Sequence, residues 1–203
     1  MPITTVKNST LDLDNDLADE TIDGTGGFNL VFYPEITGEQ NVVNRQFEYG
    51  DVRRFGADPS NADNRFHLQS ALNSIEAAGG GRVYFPPGAD TYDINATANS
   101  VNIGDDITLD LGGNTLHRTD SINRRFIGNT NYGTTGNVNI AVINGHITSV
   151  GADGNVNDQG TGLHFWRLVG LRLENITTDN TVGDGISYRE PDSATLTNIK
   201  VGN

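Results

Sequence analysis

The segment Gly160-Thr161-Gly162-Leu163-His164-Phe165 returns as Gly183-Asp184-Gly185-Ile186-Ser187-Tyr188, 23 residues further on (160 to 183). The register then holds without a gap: Leu171, Leu173, Asn175 and Ile176 fall on Ala194, Leu196, Asn198 and Ile199. Earlier, Ile107-Thr108-Leu109-Asp110-Leu111 with Asn114, and Val138-Asn139-Ile140-Ala141-Val142 with Asn144, read as the same unit carrying longer insertions. A chain that returns to one phase every ~20–45 residues is a solenoid, in which each unit covers its apolar face by stacking on the next. The alternating Leu, Ile and Val predict parallel strands stacked at ~4.8 Å, near residues 83–86, 107–111, 138–142, 169–173 and 194–197. Asparagine at one turn of successive units has its own physical reason: it tolerates left-handed backbone angles, and its amide can hydrogen-bond along the stack. Asn114, Asn144, Asn175 and Asn198 are the expected members of such a ladder.

Only one helix is expected. Leu68, Ala71, Leu72 and Ile75 recur at helical spacing. Asp63 is placed to cap the start, and Gly79-Gly80-Gly81 to stop the end, giving a helix over 64–78. The open end of a solenoid exposes strand edges and apolar rungs, and a helix laid across it covers both. Leu68, Leu72 and Ile75 are therefore expected to face the stack.

Ahead of this lie residues 1–50. Asp12, Asp14, Asp16, Asp19, Glu20 and Asp23 crowd a stretch poor in large apolar groups, which reads as an extended arm that cannot order itself alone. From Gly24 to Gly50, short β-prone runs around Phe28–Tyr33 and Val42–Phe47 predict a small collar. The division is thus an attachment arm and collar over 1–50 and a coil over 51–203. The last residues fall inside a repeat, so more chain or a neighbouring subunit is expected to cover that end.

The formal net charge of -13 argues against nucleic acid and against anionic membrane as partners. Lys7 and Lys200 are the only lysines, an acidic and lysine-poor balance also seen in proteins of strong brine. No cysteine is present to staple the fold. The first residues lack a basic segment followed by an apolar run, and no stretch approaches the ~20 apolar residues of a membrane span, so neither classical export nor membrane insertion is expected.

Residues 49–94 resemble the rhamnogalacturonase and epimerase-like branch of the pectate-lyase-like superfamily. The resemblance rests on Arg54-Phe55-Gly56-Ala57, Asp63-Asn64, Leu68-Gln69-Ser70-Ala71-Leu72, Gly79-Gly80-Gly81 and Val83-Tyr84-Phe85-Pro86-Pro87-Gly88. It implies an all-β, right-handed parallel β-helix whose amino-terminal rungs carry one capping α-helix. It says little about chemistry, which must be argued from the site. Mannuronan epimerases of the branch follow a Gly-x-Gly-apolar segment with an Asp-Pro-His motif, and this chain has Ser187-Tyr188-Arg189-Glu190 there instead. Tyr188 and Arg189 are suited to moving a sugar proton or holding a uronate carboxylate, but epimerase chemistry loses its usual residues.

Trp166, the only tryptophan, follows His164 and Phe165 on an expected rung, and aromatic faces stack on the C–H faces of sugars. Arg167, Arg172 and Arg189 nearby are suited to forked pairing with acidic glycans. Trp166, His164, Tyr188, Arg189 and Glu190 are the candidate carbohydrate-binding residues. Glycoside hydrolysis would need two carboxylates ~5–10 Å apart; Asp153, Asp158, Asp179, Asp184, Glu190 and Asp192 lie on the repeats, with solvated surface as their default role. His146 and His164 lack metal-ligand spacing, and Asp105-Asp106 and Gly151–Gly154 lack that of a calcium loop, so no metal or cofactor is implied.

Two functions follow. The first is a homotrimeric virion tail spike or tail fibre subunit, attached through its amino-terminal residues to tail or baseplate proteins and binding or cleaving host-surface polysaccharide. The alternative is a secreted, extracellular polysaccharide-active enzyme: a lyase, hydrolase or C5-epimerase.

Overall fold

The computed structural model describes residues 47–95, 100–120, 125–131, 136–150, 161–181 and 184–202. The expected arm and nearly all of the collar lie outside them. Among these residues, a 3-10 turn (Val52–Phe55) and helix α1 (Arg65–Ala77) are followed by thirteen strands. These are β1 (Gly81–Tyr84), β2 (Thr91–Ile94), β3 (Val101–Ile103), β4 (Ile107–Asp110), β5 (Thr115–Arg118), β6 (Ile127–Asn129), β7 (Asn137–Val138), β8 (Ala141–Ser149), β9 (Leu163–Trp166), β10 (Leu168–Val169), β11 (Leu171–Asp179), β12 (Ile186–Arg189) and β13 (Ala194–Val201). Every strand pairing among them is parallel.

Three faces make up each coil. The first holds β1, β4 and the opening halves of β8, β11 and β13; the second holds β2, β5 and the closing halves of the same long strands. The third is the separate sheet β3-β6-β9-β12. Inward rows alternate with outward ones, so Val83, Leu109, Val142 and Leu173 stack on the first face, and Val101, Ile127, Leu163 and Phe165 line the third, all buried. Burying each such side chain stabilises the coil by ~1.5–3 kcal/mol.

The long strands turn the corner between faces at a left-handed residue. Asn144, Asn175 and Asn198 take φ of 58°, 53° and 51°. The amide of Asn198 donates to Asn175 Oδ1 at 2.9 Å, and that of Asn175 to Asn144 Oδ1 at 2.9 Å. Asn114 does not belong to this ladder. It is fully buried, with its amide donating to Pro86 O and Leu111 O and its Oδ1 accepting from Asp90 N, so it fastens a turn inside the stack. The rung below Asn144 supplies Asp110 instead, whose Oδ1 accepts from Asn144 Nδ2 at 3.2 Å. A carboxylate only accepts, so Asp110, paired with Arg82 at 2.7 Å, sets the direction of every amide above it.

Other expectations shift by a few residues for local reasons. The first strand is Gly81–Tyr84 rather than 83–86, because Pro86 and Pro87 close the run, although Phe85 N still donates to Asp110 O. The runs expected at 138–142 and 169–173 are each broken in two, at Asn139 (φ 52°) and Gly170 (φ 79°), where the coil turns another corner. The helix spans Arg65–Ala77 with Asn64 at its N-cap position. The Asn64 side chain is occupied by Asp58 and Asn61, and Asp63 Oδ1 accepts instead from Arg65 N and Asn95 N. At the other end Gly80 (φ 95°) is required twice over, since a Cβ there would lie 2.6 Å from Asp106 Cβ. Leu68, Ala71, Leu72 and Ile75 are buried on the face that meets β1, β3 and β4. Gln69 grips the first rung of the third face, donating to Asn102 O and accepting from Asn102 N.

Candidate functional site

The third face positions the candidate residues. In β9 and β12, Leu163 pairs with Ile186, His164 with Ser187, Phe165 with Tyr188 and Trp166 with Arg189. Leu163 and Phe165 belong to the core, so His164, Trp166, Ser187 and Arg189 point outward. Tyr188 does not join them. It stands over Phe165 on the inward row and is 45% exposed only because it lies on the last rung of its sheet. Glu190 also leaves the face: it sits in the following turn at φ 50°, and its Oε2 meets Arg167 Nε at 3.0 Å.

Arg125 joins the group. Its side chain lies across Gly128, where an added Cβ would come within 3.0 Å of Arg125 Cδ, and its Nη2 donates to Asn102 Oδ1 at 2.9 Å. His164 is outward-facing yet only 3% exposed. Burial depresses its pKa below the ordinary 6.5, and the charges of Arg189 and Arg125 press it further down against the opposing pull of Asp184. The imidazole is therefore neutral at pH 7, within electrostatic reach of two guanidinium groups. Because the folded pKa is depressed, the stability this histidine contributes is complete above pH ~6.5 and is lost as pH falls through the folded value. Denaturant midpoints measured from pH 7.5 to 5 should fall, and His164→Gln should flatten the lower part of that profile.

Trp166 is held by its backbone. Its N–H donates to Asn129 Oδ1 at 3.0 Å, and Asn129 Nδ2 donates back to Trp166 O at 3.0 Å. Asn129 is fully buried and also donates to Asn137 Oδ1 at 3.1 Å, while Asn137 Nδ2 reaches Asp105 Oδ1 at 2.7 Å. The indole, half-buried, has the Arg167 guanidinium 5.5 Å from its ring centroid.

Among the described residues, Asp179 and Glu190 each lie against a basic side chain. Asp179 lies on β11, where His146 Nε2 approaches its Oδ2 at 2.9 Å. Burial works to raise Asp179, but the Thr148 hydroxyl, His146 and Lys200 together hold it below the ordinary carboxylate range. Asp184 acts on the third face, and Glu190 is committed to Arg167. Asp153 and Asp158 lie outside the described residues. Among the described residues no group of three or more His, Asp or Glu is gathered for a metal ion.

Sequence reasoning missed Arg125, Asn102 and Asn129. The Asn cluster 129–131 was the available signal for the last of these. Nothing in the local pattern marked Arg125, which reaches the site only because Gly128 leaves room.

No family model matches the chain, and no curated protein matches its sequence. Solved structures do match. The surface adhesin PfbA of Streptococcus pneumoniae superposes with a TM-score of 0.56 at 20% identity, over 76% of this chain and 39% of that one. A Parabacteroides merdae protein proposed to be a glycosyl hydrolase gives 0.58 at 18% identity, over 75% of each chain. The A-module of an Azotobacter vinelandii mannuronan C-5 epimerase gives 0.60 at 20% identity, over 75% of this chain and 43% of the module. This chain thus spans less than half the length of the adhesin and of the epimerase module. At such identities the likeness carries the fold alone: the chain is a parallel β-helix.

Proposed function

We propose that this protein binds an acidic polysaccharide along the outward face of β3-β6-β9-β12, as an extracellular adhesive or polysaccharide-modifying β-helix. The observation that carries this reading is the pair Arg125 and Arg189, both close enough to act on a neutral, buried His164. Two guanidinium groups offer forked donors to uronate carboxylates, and neutral imidazole offers one donor and one acceptor to sugar hydroxyls. Trp166 supplies the stacking surface, held in place through Asn129. The adhesin, the proposed hydrolase and the epimerase module give the same general kind of function to proteins of this architecture. Glu190 is tied to Arg167 in the turn past β12, away from the outward position of Arg189. The coils are taken to wind right-handed, as connections between parallel strands do in ~98% of cases.

A homotrimeric tail spike on a virion would bind polysaccharide through the same face. Its attachment rests on residues 1–50, nearly all outside the described residues, and the described coil does not favour it over a free extracellular protein.

Titration calorimetry with oligouronates and with matched neutral oligosaccharides tests the reading. Oligouronates should bind more tightly, and Arg189→Ala and Trp166→Ala should each weaken them by about tenfold or more. Equal affinity for charged and neutral glycans, or unchanged binding in both variants, would overturn it. Incubation of the same oligouronates with the protein, followed by proton NMR, separates binding alone from cleavage or epimerisation.

A further inference from the structure

Of all the asparagines in the sequence, Asn144 alone is followed by glycine. Two separate demands of the coil create that dipeptide. The corner between the first and second faces needs a left-handed residue with an amide for the ladder, which Asn144 meets at φ 58°. The next position must lack a side chain, because a Cβ on Gly145 would lie 2.3 Å from Leu111 Cβ and 2.9 Å from Asn114 O.

An asparagine before glycine is chemically exposed. With no side chain to shield it, the Gly145 backbone nitrogen can lose its proton and attack Asn144 Cγ. The bond from Cγ to Nδ2 breaks, Nδ2 leaves as ammonia, and a five-membered succinimide remains. Water then opens the ring at one carbonyl or the other, giving aspartate or isoaspartate. The only co-reactant is water.

The fold opposes the first step. Asn144 Nδ2 donates to Asp110 Oδ1 at 3.2 Å, and Asn144 Oδ1 accepts from Asn175 Nδ2 at 2.9 Å. The backbone on either side is fixed in register, Ile143 against Glu174 and Gly145 against Ile176. Bringing Gly145 N onto Cγ requires the side chain to leave the ladder and the backbone to turn within the sheet. We propose that Asn144–Gly145 is a self-modification site by spontaneous deamidation, closed while the ladder is zipped and open only when this rung of the coil separates.

The products do not refit. Aspartate at 144 sets a second carboxylate against Asp110 and removes the donor that joined them. Isoaspartate lengthens the main chain by one methylene where Leu111 already excludes a single Cβ. Conversion is thus an irreversible record that the rung has opened, and it does not depend on the glycan reading.

The test follows Asn144 by peptide mapping and mass spectrometry during incubation in mildly alkaline buffer, native and in denaturant. In denaturant Asn144 should convert faster than every other asparagine, and in the native protein its rate should fall at least roughly tenfold, the factor set by local opening. Asn175→Ala should raise the native rate several-fold and leave the denatured rate unchanged. Asn144→Asp, made directly, should lower Tm by roughly 3–8 °C. Equal native and denatured rates overturn the gating, and a denatured rate no faster than that of the other asparagines overturns the site. Should Asn175→Ala fail to fold, the native and denatured wild-type rates still decide both points.

Discussion

Replacing Leu72 by aspartate is expected to detach α1 from the coil and cost at least ~4 kcal/mol, among the largest effects a single change produces. Leu72 is 1% exposed in the middle of the helix, between Leu68, Ala71 and Ile75, which are buried with it against the first rungs. The substitution forfeits ~1.5–3 kcal/mol of apolar burial. It also sets a carboxylate among aliphatic groups, where an unpaired charge is tolerated only if the helix lifts away or the group takes up a proton. Either response exposes the ends of β1, β3 and β4. Because a solenoid is stabilised rung by rung, the loss should spread from this end inward. Phe66→Asp, on the same helix at 57% exposure, is the control and should change little. The measurement is the urea midpoint of both variants, and equal midpoints would show that the helix is not docked.

The first face of the coil was legible because its strands alternate and repeat at a detectable interval. Leu171 and Leu173 fall opposite Ala194 and Leu196 in the structure as they do in the sequence. The earlier rungs of the second and third faces were less legible for a physical reason: β2, β3, β5 and β6 are three or four residues long and recur at no fixed interval, and β6 reads Ile-Gly-Asn. Asn114 misled because asparagine serves two different purposes here. In the ladder it takes left-handed angles and points out, whereas at 114 it is a buried fastener, and spacing alone does not separate them.

At the site, His164, Trp166 and Arg189 share one face, since two-residue periodicity puts alternate positions of β9 and β12 outward. Tyr188 takes the inward row instead, because it pairs with Phe165, a core residue. Glu190 lies one position past the strand, where the turn redirects it to Arg167. Arg125 and Asn129 come from an earlier rung, and only stacking brings them to β9.

That dependence of the site on neighbouring rungs leads to the expectation for Gly136→Ala. Gly136 occupies the turn leading into β7 at φ 81°, with the Arg167 carbonyl of the next coil directly over it. An added Cβ would fall 1.7 Å from Arg167 O and 2.9 Å from Arg167 C, both backbone atoms. The left-handed angle alone costs an alanine ~1 kcal/mol or more. The contact adds the larger share, because relief requires the next turn to move as a unit. Movement there breaks the pairing of Leu168 with Asn137 and pulls on Trp166, the residue before Arg167. Trp166 is bonded through both its N–H and its carbonyl to Asn129, so the strain divides between two rungs. A total loss of ~3 kcal/mol or more is expected, in the range of severe overpacking. Since Trp166 is the only tryptophan, its fluorescence reports the displacement without interference. Gly136→Ala should shift the native emission and weaken oligouronate binding together with the fall in urea midpoint. A stable variant with unshifted emission would show that the turn over Gly136 yields independently and that Trp166 is not positioned through it.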